Sequence, residues 1–213
     1  MSRCVIFAAV EPSMEELAFL RTLDYAGCFI LCADAGYRTA LALGLRPDWI
    51  VGDFDHGDVL PPEEYPVLRA EAAKDDTDTM LAARLAVERG YREVTLLCGL
   101  GGRLDHTLAN LQTLAFLLEQ GVEAAILSAR DMVCLLRNGK ASFPRGEDYF
   151  SVFAYTPVCL GVTLEGFRFP LTEATVTHAF PIGVSNEIAA EEGIVTVREG
   201  TLLLIRSKET HQS

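Results

Sequence analysis

Residues 94–121 read VTLLCGLGGRLDHTLANLQTLAFLLEQG. Val94–Cys98 has the composition of a buried strand, and a glycine-rich turn follows it at once. Beyond the turn, Leu104, Leu108, Leu111, Ala115 and Leu118 recur at the spacing of one buried helical face. Gly121 then stands where a helix stops. Strand, tight turn and helix make up one half of a β-α-β unit, and the same alternation runs upstream. Further strands are expected at Cys4–Ala9, Cys28–Ala33, Trp49–Val51 and Ala124–Leu127, with helices over 13–22, 36–43, 78–89 and 104–119. The pattern predicts an α/β fold whose N-terminal part is a mostly parallel sheet flanked by helices.

After residue 128 the periodicity changes. Asn138-Gly139, set between Met132–Arg137 and Ala141–Phe143, carries the signature of a two-residue hairpin. Tyr149–Tyr155, Val162–Leu164, Ala174–His178, Ile194–Arg198 and Thr201–Ile205 follow as β-rich runs separated by Gly, Pro and Glu-Gly turns. A smaller all-β, sandwich-like domain is expected over 129–213, following an α/β domain over 1–128.

The 213 residues, half of them hydrophobic, suffice for one large or two small cores. A formal net charge of −12 argues against a general nucleic-acid binder, which needs a basic face. The apolar run at Cys4–Val10 is too short for a membrane span and lacks the form of a signal peptide. Cysteines at 4, 28, 32, 98, 134 and 159 form no C-x-x-C pair and lie mostly in apolar runs. They read as buried, reduced thiols of a cytoplasmic protein, and the histidines offer no zinc spacing.

The polar motifs fall where strands end, the place where open parallel sheets bind ligands. Asp34 ends FILCAD, and GDFDHGD at 52–58 follows Trp49–Val51. Gly99, Gly101, Gly102 and Arg103 lie between a strand and a helix. Crowded carboxylates raise one another's pKa unless a cation offsets them. The glycine turn lets backbone N–H groups approach an anion at a helix N-terminus, and Arg103 can fork onto phosphate oxygens. Asp105, His106 and Asn110 follow on the first turns of that helix. In KDDTDTM at 74–80, Asp76 or Thr77 can cap the next helix. Capping and the helix dipole account for two of the three acids and leave the third and Lys74 over: Asp75 and Asp78 can join Asp53 and Asp55 around a divalent cation while Lys74 meets phosphate. Oxygen ligands without thiolates favour Mg²⁺.

Taken in order, ADAG at 33–36, PDWIVGDFD at 47–55, KDDTD at 74–78, GGRLDHTLAN at 101–110 and GVSNE at 183–187 resemble the thiamine pyrophosphokinases over nearly the whole chain. The resemblance implies an α/β catalytic domain followed by a β-sandwich domain. It also implies homodimers with active sites between subunits, and transfer of a pyrophosphoryl group from ATP to the hydroxyl of thiamine, giving thiamine diphosphate and AMP. Carried over by motif, Asp53, Asp55, Asp75 and Asp78 belong to the Mg²⁺–ATP site. Lys74, Gly101, Gly102 and Arg103 contact phosphate, with Asp34 at the same edge. Asp105, His106 and Asn110 shape the catalytic cleft; Ser185 and Asn186 bind thiamine, with Phe169 stacking on one of its rings. Two departures from the family pattern are Ala35, where a positive φ would strain alanine, and His56 in place of a serine.

Two other functions share some of these features. An aspartate-nucleophile phosphatase also opens with D-x-D, but after its first strand, whereas DFD here follows the third. A catalytically silent thiamine or nucleotide sensor would have no need of the full set of acids.

Overall fold

The computed structural model describes residues 3–54, 60–69 and 76–209. Two compact units divide the chain, Met1–Ala129 and Arg130–Ser213.

The first unit runs β1 (Arg3–Phe7), α1 (Met14–Leu20), β2 (Phe29–Ala33), α2 (Gly36–Ala42), β3 (Trp49–Gly52), β4 (Val67–Arg69), α3 (Asp78–Glu88), β5 (Glu93–Leu97), α4 (Leu104–Glu119) and β6 (Glu123–Leu127). All its strand pairs are parallel, in the order β6-β5-β1-β2-β3-β4. The chain builds outward from β1 through β4 and then returns to lay β5 on the other side of β1. That reversal makes the carboxyl ends of β1 and β5 a topological switch point, where the connections diverge and leave a crevice. The short strands are apolar nearly throughout because helices cover the sheet. Phe7, Leu31, Ile50, Leu96 and Leu97 are fully buried, each contributing roughly 2–3 kcal/mol by burial. Gly36 opens α2 against the end of β1, where a Cβ would stand 2.1 Å from the Phe7 carbonyl oxygen; only glycine permits that approach. The three-residue β4 has no counterpart in the sequence reading, since an edge strand with two exposed residues lacks an apolar run.

Helix α4 departs from expectation. Its buried side chains are Asn110, Thr113, Leu114 and Leu117, while Leu104 and Leu108 are 74% and 54% exposed. The expected leucine face is therefore rotated. The sheet takes the stripe containing Asn110, whose amide donates to the Gly99 carbonyl at 2.8 Å.

The second unit comprises β7 (Asp131–Pro144), β8 (Asp148–Ala154), β9 (Val158–Glu165), β10 (Leu171–Thr177), β11 (Gly183–Asn186) and β12 (Glu192–Lys208). Asn138-Gly139 does not turn a hairpin: β7 runs straight through it and pairs with β12 along its whole length. The runs Ile194–Arg198 and Thr201–Ile205 are likewise one strand, irregular between Val197 and Thr201. Asn138, at φ 43°, lies opposite the irregularity, and its side-chain oxygen accepts the Gly200 N–H at 2.8 Å. The local asparagine-glycine signal marks a bulge here because the facing strand, invisible to local reading, supplies the missing partner. Before the bulge β12 pairs with β9, and after it with β8. One bent strand thus serves both layers of the sandwich. Phe150, Val152, Cys159, Val162, Leu164, Val195 and Leu202 fill the space between them.

Candidate active site

The crevice at the switch point is a cavity of about 620 Å³. Each strand end around it delivers polar groups. Ala8–Glu11 follow β1, Asp34 follows β2, and Asp53 follows β3. Asp76, Thr77, Asp78 and Thr79 come from the start of α3, and Gly102, Arg103, His106 and Asn110 from the turn after β5 and from α4. Of the residues singled out in the sequence, Asp34, Asp53, Asp78, Gly102, Arg103, His106 and Asn110 therefore line one cavity, and Gly101 and Asp105 flank it in the chain. Asp55, Lys74 and Asp75 lie outside the described residues, as does His56.

Three strand ends reach the crevice through left-handed backbone at residues other than glycine: Asp34 at φ 47°, Phe54 at 54° and Cys98 at 56°. Such residues cost roughly 1–3 kcal/mol each and persist where the surrounding packing fixes them. Ala35 has φ −63°, an ordinary helical value, so alanine is unstrained there and the demanding position is Asp34 itself.

The cavity is strongly acidic. Burial first, then the Asp34 and Asp53 carboxylates, push Asp78 up to about 6. Hard oxygen donors at that density suit a divalent cation such as Mg²⁺. Among the described residues no three His, Cys, Asp or Glu side chains form a metal-binding group, and two of the expected ligands, Asp55 and Asp75, are not among them. On the opposite side, Gly101 at φ 88° and Gly102 at φ 63° turn the backbone into α4. Arg103 is paired with Asp105 through Nη2–Oδ2 at 2.5 Å and Nε–Oδ1 at 3.1 Å. Asp105 also accepts the His106 N–H at 2.9 Å. The Arg103 guanidinium holds the Asp105 carboxyl below its ordinary range. Asp105 is thus fitted to aim the exposed arginine.

The expected thiamine-binding residues form a second group, in the second unit. Asn186 is buried, and its amide clamps the Phe169 backbone, donating to the carbonyl at 2.7 Å and accepting the N–H at 3.0 Å. It also accepts the Glu187 N–H at 2.9 Å. Those bonds present Phe169 as a 60% exposed ring, with the Arg168 guanidinium 5.6 Å from its centroid. Ser185, at φ 56°, is exposed, and its N–H donates to Ser151 Oγ at 3.0 Å.

Sequence reading missed the β1 contribution, Ala8–Glu11, where only an apolar run and a Glu-Pro pair were visible. It also treated Asp76 only as a helix cap. The cap is Thr77, which accepts the Met80 N–H at 3.2 Å, while Asp76 pairs with Arg84.

The sequence matches the family model for the "Thiamin pyrophosphokinase, catalytic domain" over residues 21–126 and that for the "Thiamin pyrophosphokinase, vitamin B1 binding domain" over 140–202. It is 27% identical over 185 residues to the thiamine pyrophosphokinase of Bacillus subtilis strain 168, covering 83% of this chain and 86% of that protein. The crystal structure of thiamin pyrophosphokinase from Geobacillus thermodenitrificans superposes with a TM-score of 0.85 at 28% identity, over 99% of both chains. That of the Bacillus subtilis enzyme gives a TM-score of 0.85 at 24% identity, covering 98% of this chain and all of the other, a likeness of fold. The two models together span most of the sequence and meet the two structural units in order, and the chain belongs to the thiamin pyrophosphokinase family.

Proposed function

We propose that the protein transfers a pyrophosphoryl group from ATP to the hydroxyl of thiamine, giving thiamine diphosphate and AMP. The observation that carries this reading is the cavity at the switch point, where carboxylates and a forked arginine converge from separate strand ends. In the reaction the hydroxyl oxygen bonds to the β-phosphorus. The bond from that phosphorus to the α–β bridging oxygen breaks, AMP keeps the bridging oxygen, and the hydroxyl proton is lost.

Asp53 and Asp78, with Asp55 and Asp75, are the residues proposed to hold Mg²⁺, and Asp34 stands beside them. Burial first, and then repulsion from Asp34 and Asp53, raise Asp78, and the crowding of these acids supports a cation there. When bound, Mg²⁺ would neutralise carboxylates and polyphosphate together. Arg103, aimed by Asp105, donates to phosphate oxygens, and the turn at Gly101-Gly102 lets the backbone come close to them. Lys74 is assigned the same task. His106 and Asn110 shape the wall, Asn110 by fixing the turn at Gly99. On the second unit Phe169 offers a ring face for a cationic heterocycle, Ser185 a hydroxyl, and Asn186 the support that holds Phe169 in place. A homodimer with intersubunit sites fits the exposed Phe169, Phe180, Ile182 and Val184 of this unit. The free cysteines fit a cytoplasmic location. Among the described residues no helix is long and apolar enough to cross a membrane.

The test is product analysis of purified protein with thiamine, ATP and Mg²⁺. AMP and thiamine diphosphate in equal amounts, abolished by a chelator, are expected. Free phosphate or ADP with thiamine unchanged would overturn the reading.

A further inference from the structure

We infer that Arg84 is a positioning residue for Asp76–Asp78 and acts through the Asp76 carboxylate, an inference that rests on the function proposed above. Arg84 lies in the middle of α3 and is no part of the motifs on which the resemblance rests. Its Nε meets Asp76 Oδ2 at 2.8 Å and its Nη2 meets Oδ1 at 3.4 Å, so the fork spans both oxygens. Side chains lean toward a helix's N-terminus, and the rise from residue 78 to 84 is only about 9 Å, so this arginine can fold back to the segment just before the helix. The same guanidinium lies 4.9 Å from the centroid of the Phe116 ring on α4. Arg84 thus braces the start of α3 against the helix that carries His106 and Asn110 into the cavity.

The arrangement has two consequences. Asp76 lines the same cavity as Asp34, Asp53 and Asp78, where another uncompensated charge would repel a polyphosphate. Arg84 supplies that compensation. The pair also fixes the residue preceding the Thr77 cap, and so the angle at which Asp78 enters the cavity. The position between the two outer acids of KDDTD is in this way occupied by an acid whose partner comes from its own helix.

The experiment compares wild type, Arg84→Ala, Arg84→Lys, Asp76→Asn and the double variant Asp76→Asn/Arg84→Ala. For each, KM for MgATP and kcat are measured, along with the Kd for α,β-methylene-ATP in Mg²⁺ and the Tm. Arg84→Ala is expected to raise both KM and Kd about tenfold, the scale of one uncompensated charge beside an anion. Arg84→Lys recovers part of the loss, because it keeps the charge without the fork. In the Asp76→Asn background the Arg84→Ala penalty shrinks to about twofold or less, the non-additivity of two residues acting as a pair. A penalty of equal size in both backgrounds would show that Arg84 does not act through Asp76. A lowered Tm with KM and Kd unmoved would reduce Arg84 to packing on Phe116; either result overturns the inference alone. Wild-type protein that neither binds the analogue nor forms thiamine diphosphate overturns the proposed function and this inference with it.

Discussion

The two units use the same polar residue types for opposite ends. In the first, short parallel strands end in abrupt turns, and Asp34, Asp53 and Asp78 face a cavity where their charges repel one another. In the second, long antiparallel strands bend and bulge, and several polar side chains are used in holding the strands and loops of the unit together. Asn138 fills the bulge at Gly200, Asn186 clamps Phe169, and Asp148 receives the Arg206 fork at 2.9 and 2.8 Å. A parallel sheet sends its connections away from the strand ends and leaves a crevice, whereas an antiparallel sandwich spends side chains on its own backbone. The difference lies in what the neighbouring strand leaves unsatisfied.

Substitutions in the two units should therefore fail in different ways. The largest effect is expected for Asp53→Asn or Asp55→Asn. Turnover at saturating MgATP and thiamine should fall about a hundredfold or more, as when a group fixing transition-state charge is removed. For Asp53→Asn, thermal unfolding should stay close to that of wild type, because asparagine keeps the side chain's shape and an oxygen that accepts hydrogen bonds. Next comes Asn186→Ala, which strands the Phe169 N–H and carbonyl and the Glu187 N–H. Urea denaturation should show a loss of about 1–3 kcal/mol, the scale for polar groups left without their partner, with KM for thiamine raised more than KM for ATP. If Asp53→Asn destabilised the fold, or Asn186→Ala left stability intact, the contrast between chemistry and scaffold would break.

The smallest effect is a pH dependence that sharpens the contrast. Folding raises Asp78 to about 6, so the folded chain holds that proton more tightly than the unfolded one. The contribution favours folding below the ordinary carboxylate range and is lost as pH rises from about 4 through about 6. Relative to wild type, Asp78→Asn should gain stability across that interval. Mg²⁺ should raise the wild-type Tm more near pH 7.5 than near pH 5, since cation and proton compete for the same oxygens. An equal Mg²⁺ effect at both pH values would remove Asp78 from the cation site.

Much of this architecture was legible because it rests on local chemistry. Apolar runs of strand length alternating with amphipathic stretches are enough to specify a parallel sheet covered by helices, and Asp34, Asp53 and Gly102 announce themselves by following such runs. The sequence by itself determined the fold class, the alternation of elements, the sandwich character of the second half and the family resemblance. Tertiary structure decided what depends on a partner distant in the chain. Asn138-Gly139 continues a strand instead of reversing it, since β12 meets its bulge residue by residue. Leu104 and Leu108 face outward because the sheet accepts Asn110 and Leu114 in their place. Asp76 answers to Arg84, leaving the cap to Thr77. Periodicity and turn signals report what one segment prefers; which partner satisfies its hydrogen bonds and charges is fixed only when the segments pack together.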